Sequence, residues 1–198
     1  MGVRGAGHRF VPNRLVFPGG AVDPADRTAP AATEPGPALL SALRLHARPP
    51  LARGIAMAAA RELHEETGVW LAASPGETLM LDRLSYLCRA VTPARLPVRF
   101  NARFLVAPAE AVCGLPEDSR ELNQVRFYPV AEAIALDLMA VTRWVLECLL
   151  RSRAGPEVLT PMVFRNERPT TDTRRRTAGR STDDINQTSL SSMPEGCP

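Results

Sequence analysis

Glu62, Glu65 and Glu66 stand at i, i+3 and i+4, so on an α-helix their three carboxylates project from one face. Like charges at that spacing repel, and they make sense on one helix if something cationic sits among them. Hard oxygen ligands suit Mg²⁺ or Mn²⁺. A divalent cation held this way can screen negative charge and activate a bound water. The competing reading is an ordinary acidic helix face paired with arginines.

A helix is expected from Gly54 to Thr67, because Ile55, Ala56, Ala59, Ala60 and Leu63 form one apolar face. Gly68 follows where a left-handed C-cap belongs. Upstream, the β-prone run Leu15-Val16-Phe17 ends at Pro18-Gly19-Gly20, since proline lacks a donor and glycine admits turn dihedrals. Residues 27–53 are rich in Ala and Pro and read as an insertion, with one short helix around Leu39, Leu40 and Leu43. Downstream, strands are predicted at Leu84 to Ala90, Val98 to Ala107 and Val125 to Val130. Ala131 to Leu150 reads as a single long helix, with Ile134, Leu138, Val141, Val145 and Leu149 at helical spacing. Strands and helices mix without a strict βαβ rhythm, so the fold class is α+β or α/β, an α/β sandwich rather than a doubly wound sheet. From Asn166 onward the chain is Thr, Arg, Ser and Asp with almost nothing to bury. A domain over 1–165 and a disordered tail over 166–198 are therefore expected.

Composition narrows the alternatives. At 198 residues the chain suits one domain with a real core. It contains no lysine, so the formal charge of +3 rests on arginine alone and reflects coding bias more readily than a functional choice. The arginines are scattered apart from Arg174, Arg175 and Arg176, and only 5% of residues are aromatic, so a nucleic-acid groove has little support. No apolar run approaches the eighteen or so residues of a membrane span, and none is expected. Cys88, Cys113, Cys148 and Cys197 stand far apart with no CxxC spacing. Neither a zinc knuckle nor a disulfide framework is indicated, and reduced thiols in the cytoplasm are the default.

The run Arg61-Glu62-Leu63-His64-Glu65-Glu66-Thr67-Gly68-Val69 resembles, without a gap, the second half of the Nudix box, R-E-U-x-E-E-x-G-U with U aliphatic. The first half, a glycine, five residues and an acid, is matched by Gly20 and Asp26, with Asp for the usual Glu. Phe17-Pro18-Gly19-Gly20 is likewise a common lead-in. What departs is the spacing: the family usually has seven residues between that acid and the Arg, whereas 34 separate Asp26 from Arg61. Such a split box occurs in a subset of relatives, among them coenzyme A diphosphatases.

The resemblance covers roughly Arg9 to Leu150 and implies an α/β/α sandwich with a mixed central sheet. It implies a hydrolase of a nucleoside diphosphate linked to another moiety, with coenzyme A or an acyl derivative favoured slightly. The metal would be held by Glu62, Glu65 and Glu66 with the Gly20 carbonyl. Gly19, Asp26, Arg61 and Gly68 would be structural, with Arg61 pairing Asp26. Glu65, Glu66 or Glu121 would take the proton of the attacking water, Glu121 because relatives often carry an extra acid ahead of a late strand. His64, the variable position, is expected to face solvent. Relatives generally carry a strand before the FPGG strand, and the few residues here, with three glycines and a proline among Met1 to Val16, leave scant room for it. The alternative within the same fold is a non-catalytic module that senses a nucleotide or binds a protein.

Overall fold

The computed structural model describes residues 1–7, 12–92, 99–153, 162–165 and 168–171. Two sheets organise it. The first is small and antiparallel, in the order β2-β1-β5, formed by β1 (Gly2–Arg4), β2 (Leu15–Val16) and β5 (Leu122–Asn123). The second contains β3 (Ser85–Val91), β4 (Asn101–Val106), β6 (Met162–Arg165) and β7 (Arg168–Thr171) in the order β4-β3-β6-β7. It is mixed, because β3 runs antiparallel to β4 and parallel to β6.

The alternation of β3 and β4 assigns each face a helical layer. Tyr86 and Leu105 sit opposite each other and pack into the core of α1 (Pro37–Arg44) and α2 (Pro49–Thr67), where Leu39, Leu43, Ile55, Met57 and Leu81 are buried. Cys88 and Phe104, the next pair, face α4 (Ala140–Arg153) and its Trp144, Val145 and Cys148. A β-bulge between Tyr86 and Cys88 adds Leu87 to this second face. The result is an α/β/α sandwich around a mixed sheet.

α2 begins at Pro49, five residues before the expected start at Gly54. Prolines read as a boundary, yet in a first turn their missing N–H is one that no carbonyl would have received. Arg53 thus belongs to the helix rather than to the insertion. Gly54 lets the Gly-rich loop lie close, since a Cβ there would come within 3.1 Å of both Arg27 Cγ and Val22 Cγ1. α2 ends at Gly68, whose φ of 72° is left-handed and whose N–H donates to the His64 carbonyl at 2.8 Å.

Four other expectations need correction. A strand does precede Leu15: β1 lies between β2 and β5, and Gly2 permits it, because a Cβ there would meet Leu122 Cβ at 2.9 Å. Val125 to Val130 is not a strand. Gln124 turns the chain at φ 53°, the Val125 N–H donates to Asp118 Oδ1 at 2.8 Å, and Pro129 opens α3 (Val130–Ala135). The long helix is also broken. α3 stops at Ala135, Leu136 is extended, and the Arg143 guanidinium donates to the carbonyls of Ile134 at 2.6 Å and Leu136 at 3.2 Å. That break lets Leu138 join Leu15, Ala133 and Leu146 in a third buried cluster. Finally, residues 168–171 form β7 against β6; backbone pairing needs no apolar area, and β-branched Thr170 and Thr171 suit it. Residues 172–198 of the expected tail lie outside the described residues, as does Val98 of the predicted second strand.

Cys88 and Cys148, remote in sequence, also meet, through α4 packing on β3. Their sulfurs share a hydrogen bond, and Arg151 Nη2 donates to Cys148 Sγ at 3.2 Å.

The position of β7 changes where the chain can be shortened. Ending it after Arg165 removes β7 and leaves β6 as an open edge, whereas ending it after Thr171 keeps the hairpin. Thermal melts and light scattering should show the shorter form melting lower and aggregating more, and identical behaviour would mean that β7 contributes nothing.

Candidate active site

The last turns of α2 carry Arg61, Glu62, Glu65 and Glu66 against the loop that follows β2. Glu66 is buried, 7% exposed, and its Oε2 accepts the Gly19 N–H at 2.8 Å. Gly19 adopts φ 152°, a value that favours glycine. At Gly20 a Cβ would fall 2.1 Å from Glu62 Oε1 and 2.4 Å from Oε2, so only glycine lets the backbone lie on that carboxylate. The two glycines of the lead-in therefore each meet one glutamate of the helix.

Arg61 ties the loop to the helix from the other side. Its Nε and Nη2 donate to Asp26 Oδ1 and Oδ2 at 3.0 and 3.1 Å, the two-pronged geometry that a planar guanidinium favours. Nη2 also reaches the Ala21 carbonyl at 3.0 Å. Nη1 donates to Glu62 Oε1 at 2.9 Å and Glu65 Oε2 at 2.7 Å. Asp26 is 2% exposed, and its Oδ2 takes a further hydrogen bond from the Asp23 N–H at 2.8 Å. The 34 residues between Asp26 and Arg61 do not separate the two half-motifs in space.

Burial dominates the electrostatics. It opposes the charge on Arg61, but the hydrogen bonds Arg61 donates to Asp26 and the charges of Glu62, Asp26 and Glu65 outweigh it and hold the guanidinium firmly protonated. Burial raises the Glu62 carboxyl, Arg61 pulls it back, and the charges of Glu65 and Glu121 push it up again. Glu66 is pushed up to about 8 by burial, with Glu121 and Glu62 adding to the rise and the Gly19 N–H and Arg4 opposing it. Glu121 thus stands within electrostatic reach of both helix carboxylates.

Gly19, Gly20, Asp26, Arg61, Glu62, Glu65 and Glu66 come together, and Gly68 fixes the end of their helix. Glu121 approaches from the turn before β5, where its carbonyl accepts the Gly5 N–H at 3.1 Å and its side chain is exposed. Glu65 is more exposed than its neighbours, with a side chain 52% accessible. His64 does not simply face solvent. The Gly68 turn brings Trp70 back along the helix, the two rings stack at 3.5 Å, and His64 Nδ1 is buried without a hydrogen-bond partner. Sequence reasoning missed Arg4, which β1 carries beside Glu66, and Arg53; neither lies in a motif or a recognisable spacing.

Among the described residues no three His, Cys, Asp or Glu side chains already form a group that could hold a metal ion. The Arg61 guanidinium occupies Glu62 and Glu65 instead. The donor set nonetheless fits a hard cation. Glu66 is a buried carboxyl that accepts the Gly19 N–H and is pushed up by its burial, and burying such a group is unfavourable until a charge compensates it.

A mixed sheet between helical layers, with a Glu-bearing helix pressed onto a glycine loop, is the fold of the Nudix hydrolases. The chain is similar to the crystal structure of a NUDIX hydrolase from Alicyclobacillus acidocaldarius, with a TM-score of 0.59 and 24% identity over 76% of this chain and 82% of that one. No protein-family model and no curated protein matches the sequence. No helix among the described residues is long and apolar enough to cross a membrane.

The raised Glu66 has a consequence for stability. A carboxyl whose value is higher folded than unfolded binds more protons in the folded state between the two values, so stability is full below the ordinary carboxylate range and falls as pH rises. Without divalent cation, the melting temperature should drop from about pH 4.5 toward pH 8. Glu66→Gln should flatten that slope. Parallel slopes in the two proteins would show that Glu66 titrates normally.

Proposed function

We propose that this chain is a Nudix hydrolase that cleaves the pyrophosphate bond of a nucleoside diphosphate linked to another moiety, using Mg²⁺ or Mn²⁺. The observation that carries the reading is the convergence of Glu62, Glu65 and Glu66 with Gly19 and Gly20 across a split motif. Glu62, Glu65, Glu66 and the Gly20 carbonyl would hold the cation. Bound there, it supplies charge screening for the phosphate oxygens and acidifies water. Asp26 keeps Arg61 oriented, and Arg61 in turn aligns the Glu62 and Glu65 carboxylates. Glu65, Glu66 and Glu121 are the candidates to accept the proton of the attacking water, Glu66 in a buried setting that raises its basicity.

Coenzyme A or an acyl derivative is the substrate we favour, on the resemblance of the split, FPGG-led layout. We place the activity in the cytoplasm, on the wide cysteine spacing without CxxC pairs in the sequence. A nucleotide-sensing module with no turnover is the second reading. Three acidic residues around one glycine loop speak against it, since a pure binder has no need of them.

Purified protein with Mg²⁺ or Mn²⁺ should be offered coenzyme A, ADP-ribose, dinucleoside polyphosphates, NADH and nucleoside triphosphates, with products identified by mass. One class should yield a nucleoside monophosphate and the phosphorylated remainder. Glu66→Gln keeps shape while removing a charge; losing about 3–5 kcal/mol of transition-state stabilisation would slow turnover by roughly a hundredfold to several thousandfold. Glu77→Gln, outside the motif, should be nearly silent. Equal activity in both variants would sink the metal-site assignment, and binding without any product would favour the sensing module.

A further inference from the structure

The segment between the half-motifs is anchored by one side chain that neither half contains. Arg53, in the second turn of α2, donates through Nε and Nη2 to both oxygens of Glu34 at 2.8 and 2.7 Å. The same Nη2 reaches the Ala29 carbonyl at 2.8 Å, and Nη1 reaches the Asp26 carbonyl at 3.2 Å. Asp26 is therefore gripped twice from α2, by Arg61 on its carboxylate and by Arg53 on its backbone. On either side of Glu34 the segment is fixed independently. The Leu81 N–H donates to the Thr33 carbonyl at 3.1 Å and the Ala32 N–H to the Leu79 carbonyl at 2.8 Å, and α1 buries Leu39 and Leu43 in the core. Arg53 joins this anchored stretch to the residue that orients Arg61.

We infer that Arg53 is a positioning residue for the cation site, holding Asp26 where it competes with Glu62 and Glu65 for the Arg61 guanidinium. This rests on the metal-dependent reading above. Arg61 Nη1 contacts Glu62 and Glu65 while its other two nitrogens face Asp26. Those two sets of carboxylates compete for one guanidinium. When Asp26 shifts, that competition is lost, and Arg61 holds the two glutamates more firmly against an incoming cation.

The test is Mn²⁺ titration calorimetry of the full chain and of Arg53→Ala, Arg53→Lys and Glu34→Gln. Outer partners of metal ligands typically change affinity by 10–100-fold. A loss of roughly tenfold is expected for Arg53→Ala, with smaller losses in the same direction for Arg53→Lys, which keeps the charge but not the fork, and for Glu34→Gln. Leu138→Ala, in the cluster beneath α4, provides a protein destabilised by a cavity away from this clamp, and it should bind Mn²⁺ like the unmodified chain. If Arg53→Ala fails to fold, the other two variants carry the comparison. Unchanged affinity in the folded variants, or an equal loss in Leu138→Ala, overturns the inference. Absence of Mn²⁺ binding by the unmodified protein overturns the metal reading itself, and this inference with it.

Discussion

Arg61 is the pivot on which the arrangement depends. A single guanidinium meets an almost fully buried aspartate, a loop carbonyl and two glutamates of its own helix. Remove it and Asp26, 2% exposed, becomes an uncompensated buried charge, a situation that costs several kcal/mol in proteins generally. The pairing also decides which way the loop of Gly19 and Gly20 lies, because Ala21 is bound to the same nitrogen as Asp26. Glu62 can then sit directly on Gly20 only because no side chain stands between, while Glu66 takes the Gly19 N–H.

This makes the site a region of local conflict held by global packing. Three carboxylates on adjacent turns disfavour the helix that bears them, and one of them is buried. The compensation comes from elsewhere. α2 is clamped by the apolar cluster of Ile55, Ala56, Met57 and Ala60 against α1 and the sheet, and it ends in a glycine whose N–H satisfies the His64 carbonyl. Functional sites are where local rules are expected to be broken.

What was legible in the sequence followed what each signal encodes. The C-terminal half of α2, its cap and the glycine turn were readable because periodicity and glycine chemistry act locally. The Asp26–Arg61 pair was carried by a motif rather than by any physical reading of the spacing. Errors arose where tertiary partners overrode local patterns. Val125 to Val130 looks β-prone, but Gln124 and Pro129 redirect it, and Asp118 captures the Val125 N–H. Ala131 to Leu150 keeps helical spacing across a break that only Arg143 and the burial of Leu138 explain. Arg4, Arg53 and the meeting of Cys88 with Cys148 are products of topology. No local signal announces them.

The divided motif also bears on how such a chain tolerates change in length. Closing a flexible loop loses entropy only as the logarithm of its length, so lengthening the connection from seven residues to 34 adds about 1.4 kcal/mol by that scaling. Here even that figure is an upper bound, because α1 and the Thr33 bridge to Met80 subdivide the connection into short spans. The separation between two parts of one motif is thus nearly free to drift, provided its ends stay tethered. Gain or loss of residues in this stretch meets a weak thermodynamic barrier, while a change at either tether meets a steep one.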